Sequence, residues 1–320
     1  MDKKLRWGVL GTANIAKKAV IPGIIHSKSG DLFAIAGRKK EKTDEFSELF
    51  KPERRYYSYE ELLNDKDVEA VYIPLPNALH LEWVQKALES GKHVLCEKPI
   101  GLNESEVKKM FETSERERRV LIEAFAYIHS PLIKEVKQVI ESGEVGEVRS
   151  MTSTFTFDLT QRPNDIRWVR NLGGGAMYDL GCYTLHLSRF LSGKKITDVK
   201  STLLKCDSDV DMSTSYIITF EDGIHAISHV SFNEAFSMKF EVIGTKGSLI
   251  TPYTFNGKGN LVYRIRKGNE LKEVMVECPD NYMLEIDHFS EVVDGVETGL
   301  LSAEDSIENA TIINKILKNY

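Results

Sequence analysis

The chain holds 320 residues, 42% of them hydrophobic and 28% charged. It is too long for one typical core and suits two domains, and its composition excludes a disordered or collagen-like chain. The net charge of −6, from 48 acidic against 42 basic residues, argues against a nucleic-acid partner, because phosphate contacts demand a basic surplus.

The opening MDKKLRWGVLG runs straight into a strand and predicts no secretion signal. No apolar stretch approaches the ~20 residues needed to span a bilayer, so no membrane partner is expected. Residues 5–10 read as a strand, 14–27 as a helix, 32–36 as a second strand and about 40–50 as a polar helix. Residues 70–73 and 93–96 are further strands. Between them, Leu81, Val84 and Leu88 stand at helical spacing over 79–90, with Gly91 as a C-terminal cap. A charged helix over 103–119 carries Val107, Met110 and Phe111 on one side, and residues 120–124 close the series. Alternating helices and continuous apolar strands predict a parallel sheet covered on both faces. After about Gly143 the pattern changes. Runs at 148–157, 196–205, 214–220, 224–232, 238–243, 246–251, 261–266 and 271–277 read as strands with tight turns, and predict an open, mainly antiparallel sheet. Helices near 174–192, 282–295 and 303–319 are expected to flank it. The expected fold class is α/β: an N-terminal Rossmann domain over 1–125 and a C-terminal α+β domain over 126–320. The cysteines (Cys96, Cys182, Cys206, Cys278) are scattered without a CxxC pair. Neither a zinc cage nor a disulfide framework is predicted, and a reducing cytoplasm fits.

The first strand ends in Gly8-Val9-Leu10-Gly11-Thr12-Ala13-Asn14-Ile15-Ala16, a dinucleotide fingerprint with substitutions. Gly11 occupies the tight turn, and Ala13 and Ala16 stand where glycine usually permits close approach. A helix starting at Asn14 aims its free N–H groups at a pyrophosphate, which makes Gly11, Thr12, Ala13, Asn14 and Ile15 candidate cofactor residues. The second strand ends in Ala36-Gly37-Arg38-Lys39-Lys40, with no acid until Glu41. NAD enzymes usually place an acid there for the ribose 2′-hydroxyl. Arg38 and Lys39 suit a 2′-phosphate, so NADP(H) is expected over NAD(H).

The turn Pro74-Leu75-Pro76-Asn77 and the following His80 lie at the carboxyl end of a central strand, beside the expected nucleotide crevice. Leu75, Pro76, Asn77 and His80 are therefore candidate cofactor contacts. Asn77 also suits a helix cap, and His80 also reads as a surface helix residue. Next, Cys96-Glu97-Lys98-Pro99 ends a buried strand in two charges at the same crevice, a costly arrangement unless they are paired or used. Glu97 and Lys98 join the candidates.

These segments, with Gly173-Gly174-Gly175-Ala176-Met177-Tyr178-Asp179-Leu180-Gly181-Cys182-Tyr183 and the later Gly244-Thr245-Lys246-Gly247-Ser248-Leu249 turn, resemble the Gfo/Idh/MocA oxidoreductase family. The resemblance implies a catalytic lysine at Lys98, an active-site aspartate at Asp179 and a cis bond before Pro99. Many members carry histidine four residues after that aspartate. Tyr183 stands there instead, as in the branch that holds dimeric dihydrodiol dehydrogenase, glucose–fructose oxidoreductase and aldose dehydrogenases. Positions four apart share a helix face, so Asp179 and Tyr183 belong to one surface. A phenol titrates near ~10, and a nearby ammonium favours its ionised form. Tyr183 is thus expected as acid/base to a reacting oxygen, with Lys98 tuning it and Asp179 orienting a hydroxyl. The alternative for Tyr183 is a core residue on an apolar helix face.

The resemblance also brings Arg167 and Trp168 near cofactor and substrate, though Arg167 equally suits a pair with Asp165. It places Glu123–Pro131 at the domain junction, where Ile128 departs from a frequent arginine and Tyr127 is a candidate for facing substrate. His186 reads as packed near the site. The expected substrate is a sugar-like polyol or ketone, and the expected assembly a homodimer through the open sheet. With no HExxH motif or clustered Cys/His ligands, no metal is expected. The alternative function is a non-catalytic dinucleotide-binding regulator or sensor of the same fold, against which the set Lys98, Asp179 and Tyr183 argues.

Overall fold

The structure, a computed structural model, describes residues 4–252, 255 and 257–318. The chain divides into two compact units, residues up to Ala126 with Asp280–Ile307, and Tyr127–Pro279 with the residues from Glu308 onward.

The first unit is built on six parallel strands: β1 (Leu5–Leu10), β2 (Gly30–Ala36), β3 (Arg54–Tyr56), β4 (Ala70–Ile73), β5 (His93–Glu97) and β6 (Leu121–Ala124). Their spatial order is β3-β2-β1-β4-β5-β6, which reverses direction between β1 and β4 and so opens a crevice at the carboxyl ends of those strands. The connecting helices are α1 (Ile21–His26), α2 (Lys40–Phe50), α3 (Tyr59–Asn64), α4 (His80–Glu89) and α5 (Glu104–Glu117). The strand β3 and helix α3 were not expected from the sequence. Both are short, and the three residues of β3 are at most half-buried. The apolar spacing expected for α4 is realised, with Trp83, Val84, Ala87 and Leu88 buried and Gly91 at φ +78° just beyond it. Asn103 caps α5 by accepting from the Glu106 amide at 3.0 Å, while the Glu106 carboxylate accepts from the Leu102 amide at 2.9 Å.

The second unit carries helix α6 (Pro131–Glu141), strand β7 (Val148–Asp158), helix α7 (Cys182–Ser192) and seven further strands. These are β8 (Ile196–Lys205), β9 (Asp211–Phe220), β10 (His225–Ser231), β11 (Asn233–Gly244), β12 (Ser248–Pro252), β13 (Gly259–Lys267) and β14 (Glu270–Cys278). They form one sheet in the order β14-β13-β12-β11-β7-β10-β9-β8, antiparallel except where β10 runs parallel to β7. Alternation buries one face: Met151 and Phe155 of β7, Tyr216 and Ile218 of β9, and Phe240 and Val242 of β11 point into the core. Helix α7 lies on β7 and β10, and α6 on β13 and β14.

Helix α8 (Asn281–Val293) departs from expectation. Its apolar pattern predicts a flank of the open sheet, but the helix covers the parallel one. Ile286 and Phe289, 0% and 1% exposed, join Trp7, Val9, Ile24 and Tyr72 in one core, with the Phe289 and Trp7 rings 4.8 Å apart. Asp287 anchors it by accepting from the Lys28 and Ser29 amides at 2.8 and 3.0 Å. Burying two large apolar side chains is worth roughly 1.5–3 kcal/mol each, which decides where the helix docks. In the last helix, α9 (Ala303–Lys318), the boundary between the units falls after Ile307.

Candidate active site

The candidate residues are shared between the two units. On the first, β1 hands the chain to Gly11, whose φ of +127° suits glycine alone, and whose absent Cβ would lie 3.1 Å from Leu75 Cδ2. The Gly11 amide donates to Ala36 O at 2.8 Å. Thr12 and Ala13 are half-buried, Asn14 is exposed, and Ile15 packs against the core. The helix that follows opens as a π-turn over Ala16–Val20 before continuing as α1. Gly37 admits close packing at the end of β2: a Cβ there would meet Thr43 Oγ1 at 2.3 Å and Thr12 Cγ2 at 3.0 Å. Arg38, Lys39 and Lys40 are exposed. The Arg38 guanidinium lies 5.7 Å from the Tyr59 ring centre. Burial raises the Tyr59 pKa, and Arg38 partly opposes it.

The second crevice loop differs from the sequence reading at two positions. Asn77 begins a single 3-10 turn, Asn77–Leu79, and the residues at the two helix starts, Pro76 and Leu79, make no side-chain cap. His80 is fully buried and not a surface helix residue. Its Nε2 lies 2.8 Å from Leu75 O and its Nδ1 3.0 Å from Pro99 O. Burial holds its pKa below the ordinary value, against the opposing pull of those carbonyls. The imidazole therefore fastens the turn after β4 to the one after β5. Leu75 is 8% exposed, and Pro76 is half-buried.

After β5, Glu97 accepts from the buried Tyr72 hydroxyl at 2.5 Å, so it is engaged by the core of its own unit. Lys98 follows, half-buried, on a cis bond to Pro99 as the resemblance implies. Glu123 accepts from the Ile100 amide at 3.0 Å and holds the next residues of this loop.

On the second unit, the glycine run leads into a π-turn over Met177–Gly181 that passes directly into α7. Such wide turns recur at functional sites. A Cβ on Gly174 would fall 2.4 Å from Arg167 O, and one on Gly175 (φ +119°) 2.1 Å from Asp211 Oδ1. The run thus brings the 165–168 loop and Asp211 against the helix start. Asp211, unnoticed in the sequence, is 4% exposed. It accepts from the Met177 amide and the Thr214 hydroxyl, each at 2.7 Å, and burial pushes its pKa up to about 6. No local signal marks it, since it lies one strand away from the motif it supports.

Asp179 is half-buried and takes a 2.5 Å bond from Arg167 Nε. Arg167 Nη1 also lies 3.2 and 3.4 Å from the two oxygens of Asp165. The nearby Asp179 charge, with Asp165 behind it, raises the guanidinium pKa further. Arg167, expected at the cofactor or paired with Asp165, is thus held by two carboxylates. Trp168 packs edge-on against Phe232 at 5.5 Å and donates from Nε1 to Arg162 O at 3.1 Å.

Tyr183 sits in the first turn of α7. It is half-buried, whereas Cys182 and residues 184–189 around it are buried. Its ring meets Tyr127, Phe155 and Phe255 at 5.9, 5.9 and 5.1 Å. Tyr127, a candidate for facing substrate, is instead 0% exposed and shares a 2.5 Å hydrogen bond with His186 Nδ1. Ile128 is buried at 3% exposure. Among the described residues there is no cluster of three His, Cys, Asp or Glu placed to hold a metal ion, and no helix long and apolar enough to cross a membrane.

Residues 5–125 match the oxidoreductase family with an NAD-binding Rossmann fold, and residues 133–250 match the GFO/IDH/MocA C-terminal domain. The chain is 33% identical over 319 residues to D-xylose 1-dehydrogenase (NADP(+)) 2 of Haloferax volcanii, covering 98% of this chain and 97% of that protein. It is 31% identical over 245 residues to trans-1,2-dihydrobenzene-1,2-diol dehydrogenase of Mus musculus, covering 76% and 73%. The crystal structure of a 3-ketoreductase from Actinomadura kijaniata in complex with NADP and TDP-benzene superposes with a TM-score of 0.94 at 28% identity, covering 98% and 97%. With a family match on each unit and a relative this similar over nearly the whole length, the chain belongs to the Gfo/Idh/MocA family of oxidoreductases.

Proposed function

We propose that this protein transfers a hydride between NADP(H) and a CH–OH or C=O carbon of a sugar, a sugar derivative or a trans-dihydrodiol, with Tyr183 as the acid/base, Lys98 assisting it and Asp179 orienting the substrate. The observation that carries the reading is the exposure of Tyr183: its phenol is half-open on a helix whose residues 182 and 184–189 are buried, one turn beyond the Asp179 carboxylate. Its neighbours pack into the core while Tyr183 keeps part of its surface accessible, as contact with a substrate requires.

The first unit fits a dinucleotide. The Gly11 turn leaves free the space a Cβ would fill, and β2 ends in three exposed cations where an acid would serve a free 2′-hydroxyl. Arg38 and Lys39 would bond a 2′-phosphate, the turn from Gly11 to Ile15 would receive the pyrophosphate, and Pro76 and Asn77 would line the nicotinamide end. When bound, NADP(H) supplies or accepts the hydride. In alcohol oxidation the Tyr183 phenolate takes the hydroxyl proton while Lys98 donates a hydrogen bond to the same oxygen. In ketone reduction Tyr183 returns that proton. The named relatives act on xylose and on a dihydrobenzenediol, which supports a vicinal diol or its ketone as the substrate class.

A screen of aldoses, keto-sugars and dihydrodiols with NADP+ and NADPH tests the reading. Turnover is expected with at least one class, and Tyr183→Phe should lower kcat about 10²- to 10⁴-fold while sparing cofactor affinity. Wild-type kcat in that variant would remove Tyr183 from the chemistry.

We also propose a homodimer through the open sheet. One row across its exposed face reads Lys200, Ile217, Ile227, Thr152, Glu241 on adjacent strands, with Ile217 and Ile227 42% and 46% exposed. A two-fold axis would bring Lys200 of each copy toward Glu241 of the other over a shared apolar centre. Light scattering at micromolar concentration should give twice the chain mass, and a monomer would end this part of the proposal.

A further inference from the structure

We infer that Arg167 is the positioning residue of Asp179: an ion-paired clamp that aims the carboxylate at the substrate hydroxyl, with no part in holding the cofactor. The inference rests on the role proposed above for Asp179 and deepens it.

The guanidinium is engaged on both sides. Nε donates to Asp179 Oδ2 at 2.5 Å, and Nη1 lies 3.2 and 3.4 Å from the oxygens of Asp165. Asp165 in turn accepts from the Arg167 amide at 3.0 Å, so it holds both the main chain and the side chain of Arg167. The backbone is fixed against the glycine run: Gly175 donates to Arg167 O at 2.9 Å, and any Cβ on Gly174 would collide with that oxygen. The Arg167 guanidinium, the Asp165 carboxylate behind it and two glycines therefore set where Asp179 points.

A carboxylate accepts at about four lone-pair sites, so the Arg167 bond by itself does not use up the acceptor capacity of Asp179. It gains a fixed orientation, as a hydroxyl acceptor needs. Nε and Nη1 of the guanidinium are committed to these carboxylates, which favours a positioning role over a phosphate contact.

The test is a double-mutant cycle of Arg167→Met and Asp179→Asn, with Arg167→Lys as the conservative variant. With an active substrate, Arg167→Met is expected to raise the substrate KM and lower kcat/KM about 100-fold in the native background, and to change it less than about twofold in the Asp179→Asn background. The NADP+ Kd, by fluorescence titration, should stay within about twofold, and Arg167→Lys should recover at least about tenfold of the loss. Equal losses in both backgrounds would overturn the inference. So would a rise of tenfold or more in the NADP+ Kd, which would make Arg167 a cofactor ligand. If the native protein turns over no sugar or diol, the proposed reaction fails on its own account. The same cycle read by thermal unfolding then decides: non-additive melting shifts support the clamp and additive shifts overturn it.

Discussion

The imidazole of His80 joins two strand ends, with its Nε2 2.8 Å from the carbonyl of Leu75 and its Nδ1 3.0 Å from the carbonyl of Pro99. One of those loops carries Asn77 and the other follows directly from Lys98. A neutral ring donates to only one of the two carbonyls, and removing it leaves that acceptor buried without its donor, at about 1–3 kcal/mol. His80→Ala should lower unfolding free energy by about that amount and reduce kcat at least about tenfold through a loosened Lys98. Because burial depresses its pKa, the stability His80 contributes is present above its ordinary value of about 6.5 and fades as pH falls through the lowered one. Denaturant titrations at pH 5 and pH 8, with steady-state kinetics, check both statements.

Cofactor choice is expected to follow Arg38. Its guanidinium is exposed over the Tyr59 ring, and no acid precedes Glu41. Arg38→Ala should lower kcat/KM for NADP+ at least about tenfold, or about 1.4 kcal/mol, and leave that for NAD+ within about twofold. An equal loss with both cofactors would show that Arg38 does not read the 2′-phosphate.

Two glycines with positive φ should respond differently to alanine. At Gly175 (φ +119°) a Cβ would lie 2.1 Å from Asp211 Oδ1. It would displace the carboxylate that holds the Met177 amide, and with it the helix start that carries Asp179 and Tyr183. At Gly193 (φ +62°) no atom of the described residues lies within 4 Å of a Cβ, so only the backbone conformation is penalised. Gly193→Ala should cost about 1 kcal/mol. Gly175→Ala should cost distinctly more, about 2–3 kcal/mol, and reduce kcat/KM as well.

Glu285 lies 2% exposed in the first unit, and neither carboxylate oxygen has a hydrogen-bond partner among the described residues. Burial, reinforced by the Glu97 charge, raises its pKa well above the ordinary range. A raised carboxyl pKa means the folded state prefers the protonated form. Its stability contribution is complete below the ordinary value of about 4.3 and is lost as pH rises toward the folded-state pKa. Glu285→Gln removes that penalty without changing shape. Its melting temperature should exceed that of the native protein at pH 8 and match it near pH 4. The same difference at both pH values would show that Glu285 does not titrate over this interval.

Much of the architecture was legible from local pattern. The strands of both sheets carry continuous or alternating apolar residues, and the glycine turns announce themselves by residue type. Short elements escaped: Arg54–Tyr56 and Tyr59–Asn64 span too few residues to show a period. Of the candidate residues, Gly11, Arg38, Lys98, Asp179 and Tyr183 stand in motifs that can be read directly. Asp211 does not, because its role is to hold the Met177 amide, 34 residues earlier in the chain.

By itself the sequence determined the order of the longer strands and helices, the turn glycine Gly11 and the cap glycine Gly91, and the family to which those motifs belong, since each depends on residues near one another in the chain. Only the tertiary structure decided that α8 covers the parallel sheet, that His80 is buried between two backbone carbonyls, and that Arg167 grips Asp179. Those outcomes turn on which distant surfaces bury apolar area and which buried charges find partners, and neither is encoded in any single stretch of chain.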